Sequence, residues 1–155
     1  TLIRRGKTPA SGKRVISEHT SEQMRRLLRL VVKNTTGRNA NAPGYLVGGK
    51  TGTAEKQVDG QYKRKALISS FIGVFPINAP HYVVMVHLDE PRGIKESNDN
   101  ATAGWTAAPV VGRVISQIAP LFGIAPVDES APEIRRALTI NIAAPRTRGR
   151  GVATN

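Results

Sequence analysis

The sequence contains no cysteine, and this absence excludes disulfides, thiolate-bound zinc, iron–sulfur clusters and a cysteine nucleophile. Aromatic residues are scarce, at 5%. An uninterrupted apolar run is missing too. Between residues 101 and 126 the only charged side chain is Arg113, but Pro109, Gly112 and Pro120 interrupt the roughly 20 apolar residues that a membrane-spanning helix needs. We therefore predict that this region forms a helix packed against a sheet.

Acidic residues are few: 11 Asp and Glu accompany 23 Lys and Arg, which gives a net charge of +12. Residues 1–38 hold ten of the basic residues and residues 126–155 hold five, whereas residues 39–125 are nearly neutral. Such an excess is typical of a solvated cationic surface or of a protein with an anionic partner. The length of 155 residues corresponds to one domain. Because the chain begins with Thr1 and carries no signal peptide, we expect a piece of a longer protein.

Hydrophobic periodicity predicts two long helices, at residues 17–34 and 107–121. The first has apolar side chains at i, i+3, i+4 and i+7, with Ser17 or Thr20 as its capping residue. The second has Pro109 in its first turn, where no backbone donor is needed. In the first helix we expect an apolar stripe to be buried and the basic side chains to be solvated. The stripe consists of Met24, Leu27, Leu28 and Val31, and the basic side chains are Arg25, Arg26, Arg29 and Lys33.

Three strands are predicted: the apolar segments at residues 66–75 and 82–89, and residues 46–55, where Leu46-Val47 lead into a glycine-containing strand. Short connections join them, which favours an antiparallel meander, and Asp59-Gly60 is typical of a hairpin turn. We predict an α+β fold in which the antiparallel sheet has both helices packed on one face. We expect residues 1–125 to form a domain and residues 126–155 to form a basic, disordered tail, with one or two helical turns near residues 131–138.

The candidate site is the sequence GGKTGT at residues 48–53. Glycines weaken a strand, so we expect another backbone or a ligand to approach closely here. Strand alternation places Thr51 and Thr53 on one side and Lys50 and Gly52 on the other. One cation, two hydroxyls and open backbone groups suit an extended anionic peptide, which adds as a strand and presents its carboxylate to the hydroxyls.

The same residues satisfy the letters of a phosphate-binding loop, from Gly44 through Gly49 to Lys50 and Thr51. A phosphate-binding loop follows a strand and opens a helix at its lysine. Here the chain continues toward a charged turn, so the pattern disfavours a nucleotide site.

No metal site is indicated by the acidic and imidazole side chains. His19, His81 and His87 are too scattered for zinc, and we predict structural or surface roles for them. The acidic pair Asp89-Glu90 has no third ligand in view. We predict that the protein uses no metal and no cofactor.

Several segments occur in the order found in a known family. They are TLIRRG and RVIS before the first helix, VGGKTGTAEK (47–56), SSFIGVFP (69–76), YVVMVHLDEP (82–91) and AGWTAAPVVGRVISQIAP (103–120). Together they resemble the C-terminal half of the transpeptidase domain of class B penicillin-binding proteins, with the closest likeness to the FtsI type. Lys-Thr-Gly is one signature of this family. The resemblance implies the β-lactamase/transpeptidase-like fold. Within the resembling segments, Trp105 is less typical of the family.

What the resemblance implies about function is peptidoglycan D,D-transpeptidation. In that reaction a serine attacks a D-Ala-D-Ala stem peptide, releases D-alanine and passes the acyl group to an amine, and β-lactams acylate the same serine. Lys50 would supply positive potential and help proton transfer, and the Thr51 and Thr53 hydroxyls would hold the terminal carboxylate. Gly52 would keep the cleft wall clear. The Thr53 N–H would be one of two oxyanion donors, worth roughly 3–4 kcal/mol at the transition state.

The nucleophile of that family is absent from this chain. No serine is followed by lysine three residues later or by asparagine two residues later. In the family both motifs precede the Lys-Thr-Gly strand, so we expect them to lie before Thr1 and the chain alone to be inactive.

The resemblance also implies partners and a location. The expected partners are the peptidoglycan stem peptide, β-lactams, the N-terminal part of the same domain and divisome proteins, with no nucleic acid. We expect the parent protein to be anchored in the bacterial inner membrane, with this segment in the periplasm. Apolar surface left exposed by the missing part predicts self-association.

A different class of function remains open on charge alone. A non-enzymatic basic module would bind nucleic acid or another anionic polymer through residues 1–38 and the basic tail. The two hypotheses differ in what they require of Lys50, because only the transpeptidase needs it on a strand at the edge of a groove.

Overall fold

The computed structural model describes residues 12–140, apart from the side chains of residues 58, 64 and 65. Its elements, in chain order, are α1 (Glu18–Asn34), β1 (Gly48–Val58), β2 (Gln61–Phe75), β3 (Tyr82–Asp89), α2 (Ala107–Leu121) and α3 (Pro132–Leu138). Short 3-10 turns occupy Arg38–Ala40 and Lys95–Ser97. The mixture of helices and one antiparallel sheet confirms the predicted α+β class.

The sheet has the order β1-β2-β3, with both pairs antiparallel. The third strand matches its prediction, but β1 and β2 run further than predicted, up to the turn at Asp59 and Gly60. Both turn residues have positive φ, 52° and 77°, as a tight hairpin turn requires. The strands were predicted to end where charged residues begin. This was wrong because charged side chains are compatible with the solvated end of a hairpin, which here follows a register shift between Glu55 and Lys56.

Helix α1 begins after Ser17, whose Oγ accepts a hydrogen bond from the Thr20 backbone N–H at 3.0 Å. Capping by Ser17 satisfies one of the free donors at the helix start, and Thr20 lies inside the helix. The bounds of α1 and of α2 agree with the predicted helices to within one residue at each end.

The predicted orientation of α1 was wrong for half of the apolar stripe and for one basic side chain. Met24 and Leu27 are each 46% exposed, whereas Arg29 is 4% exposed and Val32 is buried. The face turned toward the sheet is therefore rotated relative to the predicted apolar stripe. The periodicity of α1 predicted that Arg29 is exposed to solvent. Arg29 is instead buried because it pairs with the Glu129 carboxylate, which lies 100 residues further along the chain and is not part of the helix pattern.

The core lies between the sheet and α2. Phe71 and Phe75 of β2 and Val111 and Ile115 of α2 are fully buried in one cluster, to which Val32 of α1 also contributes. Both long helices thus bury side chains against the same core. Within residues 12–140, no helix combines the length and the apolar character needed to cross a bilayer.

The segment after α2 returns to the rest of the fold. The Val127 N–H donates to the Gly44 carbonyl at 2.9 Å, and Arg26 of α1 donates through Nε to the Ala137 carbonyl of α3 at 2.9 Å. Residues 126–140, the first half of the predicted tail, are therefore packed against α1 and the loop before β1. The first 11 residues of the predicted domain and residues 141–155 of the predicted tail lie outside the described residues, so the division at residue 125 stays a prediction.

Candidate functional site

A polar groove of about 710 Å³ runs along β1. One side is formed by the loop that follows α1 and the other by the loop that precedes α2. Among the described residues that line it there is no carboxylate, whereas one cation is present. The lining residues are Thr35, Thr36, Arg38, Asn39, Thr51, Thr53, Asn100, Thr102, Gly104 and Trp105. The groove is therefore suited to an anion rather than to a cation.

Strand β1 is at the edge of the described sheet, and its side chains alternate as predicted. Thr51 stands opposite Phe71, whose side chain is in the core, and Thr53 lies on the same face. Lys50 stands opposite Ile72, which is 44% exposed, and so belongs to the other face. The threonine side chains and the lysine side chain thus leave β1 on opposite faces, on either side of its free edge.

The two threonine hydroxyls of β1 are held by the loops on either side of the groove. The Oγ1 atoms of Thr36 and Thr51 are 3.2 Å apart, and the Ala103 N–H donates to Thr53 Oγ1 at 3.0 Å. A hydroxyl oxygen that accepts from a backbone N–H still has its own proton to donate. Thr53 is thus oriented as a donor that is free to meet an acceptor in the groove.

Lys50 lies on a strand and is exposed. Its Nζ donates to the Thr51 carbonyl at 2.8 Å and is 3.3 Å from Thr51 Oγ1, so the ammonium folds back toward the strand edge. No helix opens at Lys50, as a phosphate-binding loop would require. The nucleotide interpretation is therefore excluded by the local structure.

The two loops that form the groove are tied to each other. Asn39 Nδ2 donates to the Gly104 carbonyl at 2.8 Å. Any Cβ on Gly104 would lie 2.5 Å from the Thr36 carbonyl oxygen, so only glycine permits this approach. Sequence reasoning missed Thr36, Arg38, Asn39 and Trp105 as groove residues. Trp105 lies in the resembling segment AGWTAAPVVGRVISQIAP, and that resemblance was its available signal.

The three glycines at residues 48, 49 and 52 have different reasons to be glycine. A Cβ on Gly48 would lie 2.6 Å from the Ile77 side chain, and one on Gly49 would lie 2.5 Å from the Ile72 carbonyl oxygen. Internal packing therefore explains both. A Cβ on Gly52 would meet nothing closer than 3.9 Å. Packing leaves Gly52 unexplained, as is expected of a residue that faces a ligand.

A buried ion pair stands beside the beginning of β1. Arg29 donates through Nη2 to Glu129 Oε2 at 2.6 Å and through Nη1 to the Val47 carbonyl at 2.7 Å and to Asn41 Oδ1 at 3.0 Å. Lys33 Nζ reaches the same Glu129 oxygen at 2.9 Å. Both terminal nitrogens of the guanidinium thus have partners, which satisfies the rule that a buried charge needs a partner.

The attraction between Arg29 and Glu129 offsets the effect of burial on their pKa values. Burial lowers the pKa of Arg29, and Glu129 counteracts that shift. For Glu129, burial raises the pKa, but the hydrogen bond from Lys33 and the charge of Arg29 outweigh it, so the pKa lies below its ordinary value of 4.5. Glu129 is therefore charged at neutral pH and matches the arginine.

The histidines lie on separate parts of the fold. His19 is in α1, His81 precedes β3, and His87 is in β3, where its Nδ1 is 2.8 Å from Ser70 Oγ. Across residues 12–140, no group of three or more potential ligands among His, Asp and Glu is close enough to hold a metal ion.

Comparison with known families gives a match over most of the chain. The penicillin-binding protein transpeptidase domain matches residues 3–116. The chain belongs to this transpeptidase family. The resemblance predicted from the sequence is thereby confirmed, and the alternative of a basic nucleic-acid-binding module has no support among the relatives of this transpeptidase chain.

Curated relatives include transpeptidases and a sporulation protein. The chain is 43% identical to the probable peptidoglycan D,D-transpeptidase FtsI of Caulobacter vibrioides over 122 residues, which is 73% of this chain and 21% of that protein. It is 45% identical to stage V sporulation protein D of Bacillus subtilis over 119 residues, which is 77% of this chain and 18% of that protein. The transpeptidase chain described here thus spans about a fifth of the length of these relatives.

Solved structures confirm the fold. The transpeptidase domain of penicillin-binding protein 3 from Burkholderia pseudomallei matches with a TM-score of 0.68 at 34% identity, over 81% of this chain and 37% of that chain. Penicillin-binding protein 3 from Mycobacterium tuberculosis, in complex with ampicillin, matches with a TM-score of 0.65 at 27% identity, over 78% of this chain and 28% of that chain. The antiparallel sheet with its packed helices is therefore part of a transpeptidase domain.

Proposed function

We propose that this chain forms one wall of the active site of a peptidoglycan D,D-transpeptidase. The observation that supports it most directly is the groove along β1. Its lining offers hydroxyls and a cation without a carboxylate, beside a glycine that packing does not explain. A stem peptide ending in D-Ala-D-Ala fits this chemistry because it is extended, is anionic at its end and can pair with a free strand edge.

Each residue at positions 50–53 has a role in this proposal. The Thr51 and Thr53 hydroxyls hold the terminal carboxylate, and the Thr53 N–H serves as one of two oxyanion donors. Gly52 leaves room for the ligand backbone. Lys50 contributes positive potential and assists proton transfer at a nucleophile on its own side of the strand. β-Lactams, such as the ampicillin bound by the Mycobacterium tuberculosis relative, would occupy the same groove through their carboxylate.

The nucleophilic serine would come from another part of the domain. The chain has no Ser-x-x-Lys sequence and spans about a fifth of its curated relatives. The sheet face on the Lys50 side carries exposed apolar side chains: Ile72 (44%), Val83 (67%) and Met85 (59%). We expect the remainder of the domain to cover this face and to bring its serine beside Lys50. In its absence the same face favours self-association of the chain.

The wider setting follows from the type of enzyme. An FtsI-type parent would be anchored in the bacterial inner membrane, would expose this segment to the periplasm and would work with divisome proteins. Residues 1–125 would belong to the catalytic domain. Peptidoglycan is the substrate, and no metal or cofactor takes part.

Binding can be tested without catalysis. A peptide ending in D-Ala-D-Ala is titrated into the 155-residue chain, and the same peptide with an amidated C-terminus serves as the matched control. Trp105 lines the groove and is the only tryptophan, so its fluorescence reports occupancy. We expect the free carboxylate to bind at least about tenfold more tightly, the free energy of one charge-assisted hydrogen bond. Equal affinity of the two peptides would contradict the proposal.

Inactivity of the isolated chain is tested with a fluorescent penicillin. Because no serine has the lysine that activates the family's nucleophile, we expect no covalent adduct after denaturing electrophoresis. A full-length relative carrying Ser-x-x-Lys is the positive control. A stoichiometric adduct on the 155-residue chain would show that one of its own serines is the nucleophile and would overturn this part of the proposal.

A further inference from the structure

We propose that Glu129 is a positioning residue, which acts through Arg29 to fix the beginning of β1 and thereby the groove residues 50–53. Glu129 lies outside residues 3–116, the part of the chain that matches the transpeptidase family. The inference deepens the proposed function, since it concerns the same groove, but its test uses no ligand. Its failure is therefore distinguishable from a failure of the proposed function.

Glu129 joins three parts of the fold through one carboxylate. Its Oε2 accepts from Arg29 Nη2 at 2.6 Å and from Lys33 Nζ at 2.9 Å, both on α1. Its Oε1 accepts from the backbone N–H of Gly44 at 3.1 Å, in the loop that leads to β1. Both oxygens of the carboxylate are therefore used, one on the helix and one on the loop.

Arg29 carries the constraint from Glu129 to the strand. The guanidinium donates to the Val47 carbonyl at 2.7 Å and to Asn41 Oδ1 at 3.0 Å. Val47 immediately precedes Gly48, the first residue of β1. Because Arg29 is 4% exposed, water cannot readily replace either bond, and the position of the Val47 carbonyl depends on the orientation of the guanidinium.

Backbone contacts hold Glu129 in place. The Val127 N–H donates to the Gly44 carbonyl at 2.9 Å, and the ring of Pro126 occupies the space that a Cβ on Gly44 would need, 2.7 Å away. Gly44 has φ of 84°, a conformation that favours glycine. The loop before β1 and the segment after α2 are thus attached to each other at backbone level, next to the carboxylate.

The position of β1 is sensitive to such an anchor because this strand has only β2 as a neighbour among the described strands. The contact between Thr36 Oγ1 and Thr51 Oγ1, at 3.2 Å, is long for a hydrogen bond between hydroxyls, whereas the bond from Ala103 N to Thr53 Oγ1, at 3.0 Å, has the ordinary length. A displacement of β1 by about half an ångström would break the first contact and weaken the second. Loss of the hydrogen bond to the Val47 carbonyl would therefore displace the Thr51 and Thr53 hydroxyls, which are proposed to bind the carboxylate.

The test is amide hydrogen exchange in three variants of the 155-residue chain. Glu129→Gln removes the charge that orients Arg29. Lys33→Gln removes the exposed partner of the same carboxylate, and Asp128→Asn makes the same charge change at the neighbouring exposed residue. The amides of residues 48–53 that bond to β2 are compared with those of α2, which report global unfolding.

We expect Glu129→Gln to accelerate exchange at residues 48–53 by about tenfold more than at α2, because one charge-assisted hydrogen bond is lost. We expect both control variants to leave the ratio of the exchange rates in β1 and α2 unchanged. Equal acceleration in β1 and α2 would mean that Glu129 only stabilises the fold, and no acceleration would mean that Arg29 needs no partner; either overturns the proposal. If Glu129→Gln does not fold, Glu129→Asp, which keeps the charge on a shorter side chain, is read in the same way.

Discussion

Gly49 and Gly52 of β1 are glycine for different reasons. Packing within the protein requires glycine at position 49, whereas at position 52 we attribute it to the proposed ligand. Replacing Gly49 by alanine places a Cβ 2.5 Å from the Ile72 carbonyl oxygen and 2.6 Å from a ring carbon of Phe71. The first neighbour is backbone and the second is fully buried, so neither can move away. The same replacement at Gly52 brings the Cβ no closer than 3.9 Å to Ser70. Neither glycine has positive φ, so backbone strain does not differ between them.

The expected free energies of unfolding follow from these distances. Overpacking at Gly49 destabilises by about 1–3 kcal/mol. At Gly52 nothing is displaced, and the reduced entropy of the unfolded chain stabilises by about 0.5–1 kcal/mol. The two variants should therefore differ by at least about 1.5 kcal/mol, although they carry the same substitution three residues apart in one strand.

Urea unfolding followed by circular dichroism measures the difference. With a slope of about 1–3 kcal/mol per molar urea, it corresponds to a separation of the two midpoints by roughly 0.5 M or more. The folded Gly52→Ala chain is then titrated with the D-Ala-D-Ala peptide, and we expect binding weaker by about tenfold. Equal midpoints would refute the packing argument, and unchanged peptide affinity would refute the role proposed for Gly52.

Three further predictions concern the core, the ion pair and the groove. Phe71→Ala should destabilise the chain by about 3–5 kcal/mol in urea unfolding, because Phe71 is fully buried in the core; a smaller loss would mean that the site collapses. The pKa of Glu129 is depressed, so the free energy that its charged form adds to folding is present above pH 4.5 and is lost as the pH falls through the lower folded pKa. The difference in the free energy of unfolding between the wild type and Glu129→Gln should therefore shrink below pH 4.5, and a constant difference would contradict the ion-pair account. Thr53→Val removes the acceptor of the Ala103 N–H and should destabilise by about 0.5–1.5 kcal/mol and weaken peptide binding, whereas Thr53→Ser should retain both; equal behaviour of the two variants would exclude a role for the hydroxyl.

Local sequence signals located the elements well. Apolar runs indicated the second and third strands, of which the third matched residue for residue, and periodicity with Ser17 indicated the bounds of α1. These features depend on nearest neighbours along the chain: alternation, capping and turn residues. The alternation of Lys50 and Thr51 in β1 was predictable for the same reason, since the period of a strand is fixed by its backbone.

Contacts between distant segments were the part that local signals could not supply. Arg29 looked like a solvated residue on α1 because its partner, Glu129, is 100 residues away. The groove likewise brings Thr36 and Trp105 to β1 from two loops that have no periodic pattern. A loop residue acquires its neighbours from the packing of the elements on either side, which no single stretch of sequence contains.

The sequence by itself determined the order and type of the elements, the strand that carries residues 50–53, and the family, because each is written in local pattern or in motif letters. Only the tertiary structure decided which face of α1 is buried and which glycine of β1 is left open. Both depend on how close distant atoms come: a guanidinium 2.6 Å from Glu129, and a Cβ at Gly52 with nothing nearer than 3.9 Å. Such distances arise from packing, after local structure has formed.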